Sequence, residues 1–286
     1  MAERVLPPTT PTTSTAAHGA DAYTAGMSAL GAAAKRTTRT FSVWRGDGND
    51  GRLVDYTTEV VEGMVVLDAI HQIQSDQAND LAVRWNCKAG KCGSCSAEIN
   101  GNPRLMCMTR LNELPEDQPV TVEPMRAFPR VRDLVTDVSW NFRVKKTIKE
   151  FKPRAPDAPD GTWRMDQADV DRVQEFRKCI ECFLCQNVCH VLRDHHKHEE
   201  FIGPRHLVYA AALEMHPLDV EDRVGDLKDE NGIGYCNITK CCTNVCPESI
   251  TITDNAIIPL KERVVDEFFD PIGKLVKLYS RRTQKN

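Results

Sequence analysis

The stretch that decides the fold runs Cys87-Lys88-Ala89-Gly90-Lys91-Cys92-Gly93-Ser94-Cys95, with a fourth cysteine, Cys107, after eleven further residues. The spacing C-x4-C-x2-C with a distant fourth cysteine is that of a plant-type loop around a 2Fe-2S cluster, in which two thiolates hold each iron. The sulfurs of such a loop need backbone N–H groups close by, and Gly90 and Gly93 let the chain turn through positive φ to supply them. Structural zinc is the competing reading. It favours two matched short cysteine pairs over three ligands in one loop and a fourth far away.

Two further cysteine clumps follow. Cys179-Ile180-Glu181-Cys182-Phe183-Leu184-Cys185-Gln186-Asn187-Val188-Cys189 is the bacterial run C-x2-C-x2-C-x3-C, whose fourth cysteine ligates the other cluster of a pair. His190 stands where proline usually follows. On the same template the third clump reads Cys236-x2-Thr239-x2-Cys242-x3-Cys246-Pro247, with Thr239 where the middle cysteine belongs. Crossing the ligands gives one complete set, Cys179, Cys182, Cys185 and Cys246, suited to a 4Fe-4S cluster. The other set has Cys189, Cys236 and Cys242. Three thiolates favour a 3Fe-4S cluster, because a hydroxyl is a poor ligand for a fourth iron. Cys241 reads as a small buried non-ligand, the alternative being that it completes a four-iron site.

The patterns around these clumps predict an α+β chain of two domains. Residues 1–37, rich in Thr, Ala and Pro, read as a disordered tail, since they have little apolar surface to offset ordering entropy. An organellar targeting segment is the other reading, because acidic residues are scarce there. From 38 to 135 the chain reads as a 2Fe-2S ferredoxin-type (β-grasp) domain: a hairpin from Thr40–Trp44 and Leu53–Tyr56, a helix over Val65–Ser75, and strands at Ala97–Ile99 and Val120–Val122. Residues 136–286 read as a linker and an α-helical, bacterial-ferredoxin-like domain, with helices at Asp166–Lys178, Pro204–Met215 and Pro259–Phe269. The linker, 142–161, passes from a basic run (Arg143, Lys145, Lys146, Lys149, Lys152, Arg154) into Pro153, Pro156 and Pro159. It predicts a semi-rigid spacer whose cations are solvated, or grip an acidic partner or lipid headgroups.

Composition narrows the function. The 286 residues carry 37 Lys and Arg against 41 Asp and Glu, a formal net charge of -4, which argues against nucleic acid as a partner. No apolar run is long enough to span a bilayer, and Met1–Thr10 lacks the basic start and apolar stretch of a signal peptide. Twelve cysteines in such a chain point to metal ligands before disulfides. With no catalytic triad, no G-x-G-x-x-G after a strand and no P-loop, three clusters describe a wire, and no catalytic residue is assigned.

Taken together, Arg84-Trp85-Asn86-Cys87 through Cys95, Cys179-Ile180-Glu181-Cys182, and Cys242-Thr243-Asn244-Val245-Cys246-Pro247 resemble the iron-sulfur subunit of succinate dehydrogenase and fumarate reductase, the complex II family. Over roughly residues 39–270 the three motifs fall in the family's order. The resemblance implies a subunit of a respiratory-chain and tricarboxylic acid cycle oxidoreductase. It would sit between a flavoprotein carrying FAD, where the dicarboxylate chemistry occurs, and a membrane anchor that binds quinone. Electrons would pass from flavin through 2Fe-2S, 4Fe-4S and 3Fe-4S to quinone, with the chain peripheral on the cytoplasmic face of the membrane and the mitochondrial matrix side as the other placement.

The chain departs from the ubiquinone-reducing branch of that family. That branch has Pro and a Trp-containing stretch after the cysteine matching Cys189, and a His after the one matching Cys236. Here the places hold His190-Val191-Leu192-Arg193-Asp194 and Asn237. A menaquinone-linked anchor is therefore the expectation, and that branch's quinone residues are not carried over. The run His190, His195, His196, His198 reads as a wet partner-facing surface, or else as a proton relay or extra metal site. Residues 270–286 read as a helix with a frayed basic tail, or a segment resting on the anchor or lipid. A relay subunit of another flavin-dependent membrane dehydrogenase is the alternative function. Such relays usually lack a fused plant-type domain.

Overall fold

In the computed structural model residues 36–48, 50–271 and 273 are described. Nearly all of the tail expected over 1–37, and the basic segment from Lys274 onward, lie outside them. Thr37, placed at the end of that tail, already belongs to the first strand.

Strands β1 (Thr37–Asp47) and β2 (Asp50–Val60) form the expected antiparallel hairpin, in register from Thr37 with Val60 to Asp47 with Asp50. Phe41 and Val43 are fully buried beneath it. Helix α1 (Val66–Asp76) turns Val66, Leu67, Ala69, Ile70 and Ile73 into the same core, and its start is fixed by the Val65 N–H donating to Asp68 Oδ2 at 3.2 Å. Strands β3 (Ser96–Ile99), β4 (Asn102–Leu105) and β5 (Val120–Glu123) extend the sheet, β5 running parallel to β1. Short strands β6 (Arg130–Arg132) and β7 (Val135–Thr136) complete seven strands, ordered β4-β3-β5-β1-β6-β7 with β2 on β1. Of these β4, β6 and β7 were not expected. The sheet places β4 at an edge. This strand contains Pro103, and as an edge strand it tolerates a residue with no N–H to donate.

The second half is helical. It contains α2 (Ser139–Lys145), α3 (Gln167–Gln174), α4 (Leu184–Val188), α5 (His190–Arg193), α6 (Gly203–Glu214), α7 (Val224–Asp229), α8 (Cys241–Asn244) and α9 (Ile258–Phe268). The three long helices expected from periodicity are present. The short ones are not periodic enough to be read from sequence, since four or five residues make about one turn. Leu192, Leu207, Val208, Ala210, Ala211 and Leu227 form a core that takes in Cys185, Cys189 and Cys242. The cysteine sites are thus part of the hydrophobic interior.

The expected spacer over 142–161 is a correction. It begins inside α2, and residues 152–154 are fastened to 218–220 by Arg154 N–H to Leu218 O (2.8 Å) and Val220 N–H to Lys152 O (2.9 Å). Its cations are met within the chain: Lys145 by Glu181, Lys149 by Asp226, Lys152 by Glu221 and Arg154 by Asp157. The prolines stiffen a strap on the second domain.

His206 is buried on α6. Its Nε2 lies 2.9 Å from Asn141 O, and its Nδ1 lies 3.0 Å from Gln186 Nε2 and 2.7 Å from Ile202 O. Burial pushes its pKa down to about 4, against the pull of the two carbonyls. The unfolded chain, with histidine near 6.5, takes up the proton first as pH falls. Stability from the neutral ring is complete above about pH 6.5 and is lost progressively toward pH 4, by about 3 kcal/mol in total. Urea titrations across this range should show that loss in the wild type and a flatter dependence in His206→Gln.

Candidate metal centres

The loop from Cys87 to Cys95 coils as a cluster loop must. Gly90 and Gly93 both take φ +67°, and Lys88 takes +54°. Backbone donors turn inward: Ala89 and Lys91 N–H each reach Cys87 Sγ at 3.3 Å, and Cys87 N–H reaches Cys92 Sγ at 3.5 Å. Burial disfavours the Cys92 thiolate, but hydrogen bonds from Ser94 and Cys87 outweigh it and bring the thiol down to about 7. Cys95, deeper, is pushed up to about 12 by burial. Cys107 comes from the segment just after β4 and is buried beside Cys95.

The other eight cysteines line two chambers. Cys179, Cys182, Cys185 and Cys246 surround one, with Ile180, Phe183, Val208, Ile250 and Ile252 in its wall. Cys189, Cys236, Cys241 and Cys242 line a second, together with Thr239 and His190. Cys246 lies with the first run, and Cys189 with the third clump. All twelve thiols are free. Among the described residues no three His, Cys, Asp or Glu side chains are gathered to hold a single ion.

Burial pushes Cys182 and Cys189 up to about 12 and Cys242 to about 11. Deprotonating such thiols requires the positive charge of bound iron, so cluster assembly releases protons. Arg205 lines the first chamber, and its buried Nε–H has no hydrogen-bond partner among the described residues. Apolar walls, four thiols and an unused cationic donor fit an anionic, sulfur-bearing group.

The two chambers are built on a repeated backbone pattern. In the first, Glu181 (φ 55°) and Phe183 (φ 62°) flank Cys182; in the second, Ile238 (φ 62°) and Lys240 (φ 63°) flank Thr239. The left-handed residues Phe183 and Lys240 then start α4 and α8, which carry Cys185 and Cys242. Thr239 thus occupies the backbone position of Cys182.

The sites touch in series. Gly93 in the first loop packs so tightly on the second that an added Cβ would lie 2.5 Å from Cys182 Cα. Ser96 Oγ sits 2.9 Å from both Gly93 O and Cys182 O, and Lys91 Nζ reaches Glu248 Oε1 at 2.8 Å, two residues beyond Cys246. The two chambers are close enough that a charge on Cys242 acts on Cys185.

Arg205 and Glu181 could not be read from cysteine spacing. An arginine in the first turn of α6 opposes the helix dipole, which is the one sequence signal that something else holds it. Its Nη2 binds Glu181 Oε1 at 2.5 Å, and the same oxygen accepts from Lys145. Two cations against one carboxylate leave net positive charge beside the four-cysteine chamber, favouring the reduced form of a bound cluster. Arg205→Met should lower that cluster's midpoint potential by on the order of 50–100 mV. Potentiometric titration followed by electron paramagnetic resonance checks this, with Arg205→Lys retaining most of the wild-type value.

The histidine run is split. His198 packs edge-on against Trp140, its Nε2 lying 2.9 Å from Ala127 O. His190 borders the second chamber with His195 nearby, their ring centroids 6.1 Å apart, and His196 is exposed.

A grasp-type sheet carrying one wrapped cysteine loop, fused to a helical unit with two crossed cysteine chambers, defines an iron-sulfur electron-transfer protein. Comparison agrees: residues 40–143 match the family model described as a 2Fe-2S iron-sulfur cluster binding domain, and residues 175–250 the 4Fe-4S dicluster domain. The chain is 33% identical over 200 residues to the fumarate reductase iron-sulfur subunit of Mycobacterium tuberculosis, covering 68% of this chain and 79% of that one. It is 30% identical over 237 residues to the succinate dehydrogenase iron-sulfur subunit of Bacillus subtilis, covering 77% and 90%. A solved chain of the Mycobacterium smegmatis Sdh1 complex in the apo form is 62% identical, with TM-score 0.80, over 83% of this chain and all of that one. The chain belongs to the succinate dehydrogenase and fumarate reductase iron-sulfur subunit family. Its role is electron transfer within such an oxidoreductase.

Proposed function

We propose that Cys87, Cys92, Cys95 and Cys107 hold a 2Fe-2S cluster, Cys179, Cys182, Cys185 and Cys246 a 4Fe-4S cluster, and Cys189, Cys236 and Cys242 a 3Fe-4S cluster. The chain joins a flavoprotein, where FAD interconverts succinate and fumarate, to a membrane anchor with its quinone. The two domains meet near residue 135, the first opening with β1 at Thr37 and the strap belonging to the second. Bound clusters supply one-electron transfer; the chain supplies their spacing, their burial and the donors around them.

The observation that carries this reading is the serial contact of the three cysteine sites, first loop on first chamber and first chamber beside the second. The ends of the series support two partners. Trp85 and Met108, exposed large apolar residues, flank the first loop, whereas Tyr235 and Ile238 lie exposed around Cys236. Among the described residues no helix is long and apolar enough to cross a membrane. Attachment is through the anchor, on the cytoplasmic face. His190 and Asn237 at the quinone end favour menaquinone, and both lie against the second chamber.

The test is the purified complex, titrated with succinate and followed by electron paramagnetic resonance. Succinate should reduce the chain's centres, and a menaquinone analogue should reoxidise them faster than a ubiquinone analogue. Centres that stay oxidised with succinate would overturn the function; a preference for ubiquinone would overturn the quinone assignment alone.

A further inference from the structure

We infer that Cys241 is a reserve iron ligand, a thiol at the open corner of the three-cysteine chamber that binds a fourth iron when the site is reduced and ferrous iron is present. The inference rests on the three-iron reading above. The template makes Cys241 the counterpart of Leu184, which is buried in the first domain's core. Cys241 instead lines the second chamber, and its Sγ lies 3.2 Å from Thr239 Oγ1. Thr239 is the residue standing where Cys182 stands in the complete site, so the extra thiol lies beside the missing corner.

The loop that carries it is held on several sides. Lys261 Nζ donates to Cys236 O at 2.5 Å, Lys240 Nζ pairs with Asp254 at 2.7 Å, and Cys242 Sγ lies 3.5 Å from Thr253 Oγ1. A soft thiolate is a far better iron ligand than the neighbouring hydroxyl. The exchange balances. One electron from the relay takes the oxidised three-iron core to its neutral state; Fe2+ then adds to give a [4Fe-4S]2+ core, as Cys241 forms an Fe–S bond and its proton leaves to solvent. Oxidation by one electron reverses the step and releases Fe2+. The chamber would then report iron supply and redox state together.

The complex, purified without oxygen and oxidised, is reduced with dithionite in the presence of ferrous ammonium sulfate, desalted, and examined by electron paramagnetic resonance and iron analysis. The wild type should start with a three-iron signal and about nine irons per chain, then lose most of that signal and rise to about ten. Cys241→Ser and Cys241→Ala should keep the signal and the lower count. A three-iron signal that Fe2+ leaves unchanged, or equal uptake by Cys241→Ser, would overturn the inference alone. About ten irons and no three-iron signal at the outset would overturn the three-iron reading as well.

Discussion

Replacing Gly93 by alanine is expected to part the first cysteine loop from the second. The new Cβ would lie 2.5 Å from Cys182 Cα, 2.8 Å from its Cβ and 3.0 Å from its N, so it meets backbone that cannot rotate away. The residue also sits at φ +67°, a conformation that costs a side chain about 1–2 kcal/mol. Overpacking adds to this, for a total of about 3 kcal/mol or more. Relief comes by moving the loops apart, which breaks the Ser96 Oγ contacts to Gly93 O and Cys182 O. In the assembled complex, rapid-freeze spectroscopy should find the 2Fe-2S centre reduced and the 4Fe-4S centre following late, while in the wild type the two follow together. Unchanged kinetics and stability would mean that the contact carries no such role.

Glu98→Ala should produce the other large effect. Glu98 lies on β3 with its side chain fully buried, and it fastens the sheet to the helical domain. Oε1 accepts from Asn187 Nδ2 at 3.0 Å; Oε2 pairs with Arg126 at 3.0 Å and with Arg193 at 3.4 Å. Removing the carboxylate takes the acceptor from Asn187 Nδ2 and an anionic partner from Arg193 in the interface, and with one end of the pair partly solvated the loss is about 2–3 kcal/mol. Chemical denaturation should show an earlier transition and loss of coincidence between sheet and helix signals. Glu98→Gln, which keeps the acceptor oxygen, should lie between the two.

How much was legible follows from what each feature depends on. The hairpin and α1 depend on local alternation and periodicity, and Phe41, Val43, Ile70 and Ile73 took the interior positions their spacing required. The three cysteine sets depended on spacing alone, and the chambers gather the residues that the crossed template groups. Cys241 is the exception: its place on the chamber wall depends on where a loop turns, which Ile238 and Lys240 decide through left-handed backbone. The Glu98 staple and the Arg205–Glu181–Lys145 group join residues up to 95 positions apart and have no periodic signature. The strap over 152–154 reads from sequence as a semi-rigid spacer for the same reason. Proline content reports stiffness, whereas docking depends on Leu218 and Val220 far along the chain.

Mössbauer spectroscopy of the oxidised complex grown on isotopically enriched iron, with metal analysis of the same sample, is the most direct measurement. Eleven cysteines in sets of four, four and three predict three distinct iron components in a ratio of about 2:4:3, with no stoichiometric zinc. A single iron environment, fewer than three components, or zinc in place of iron would contradict it.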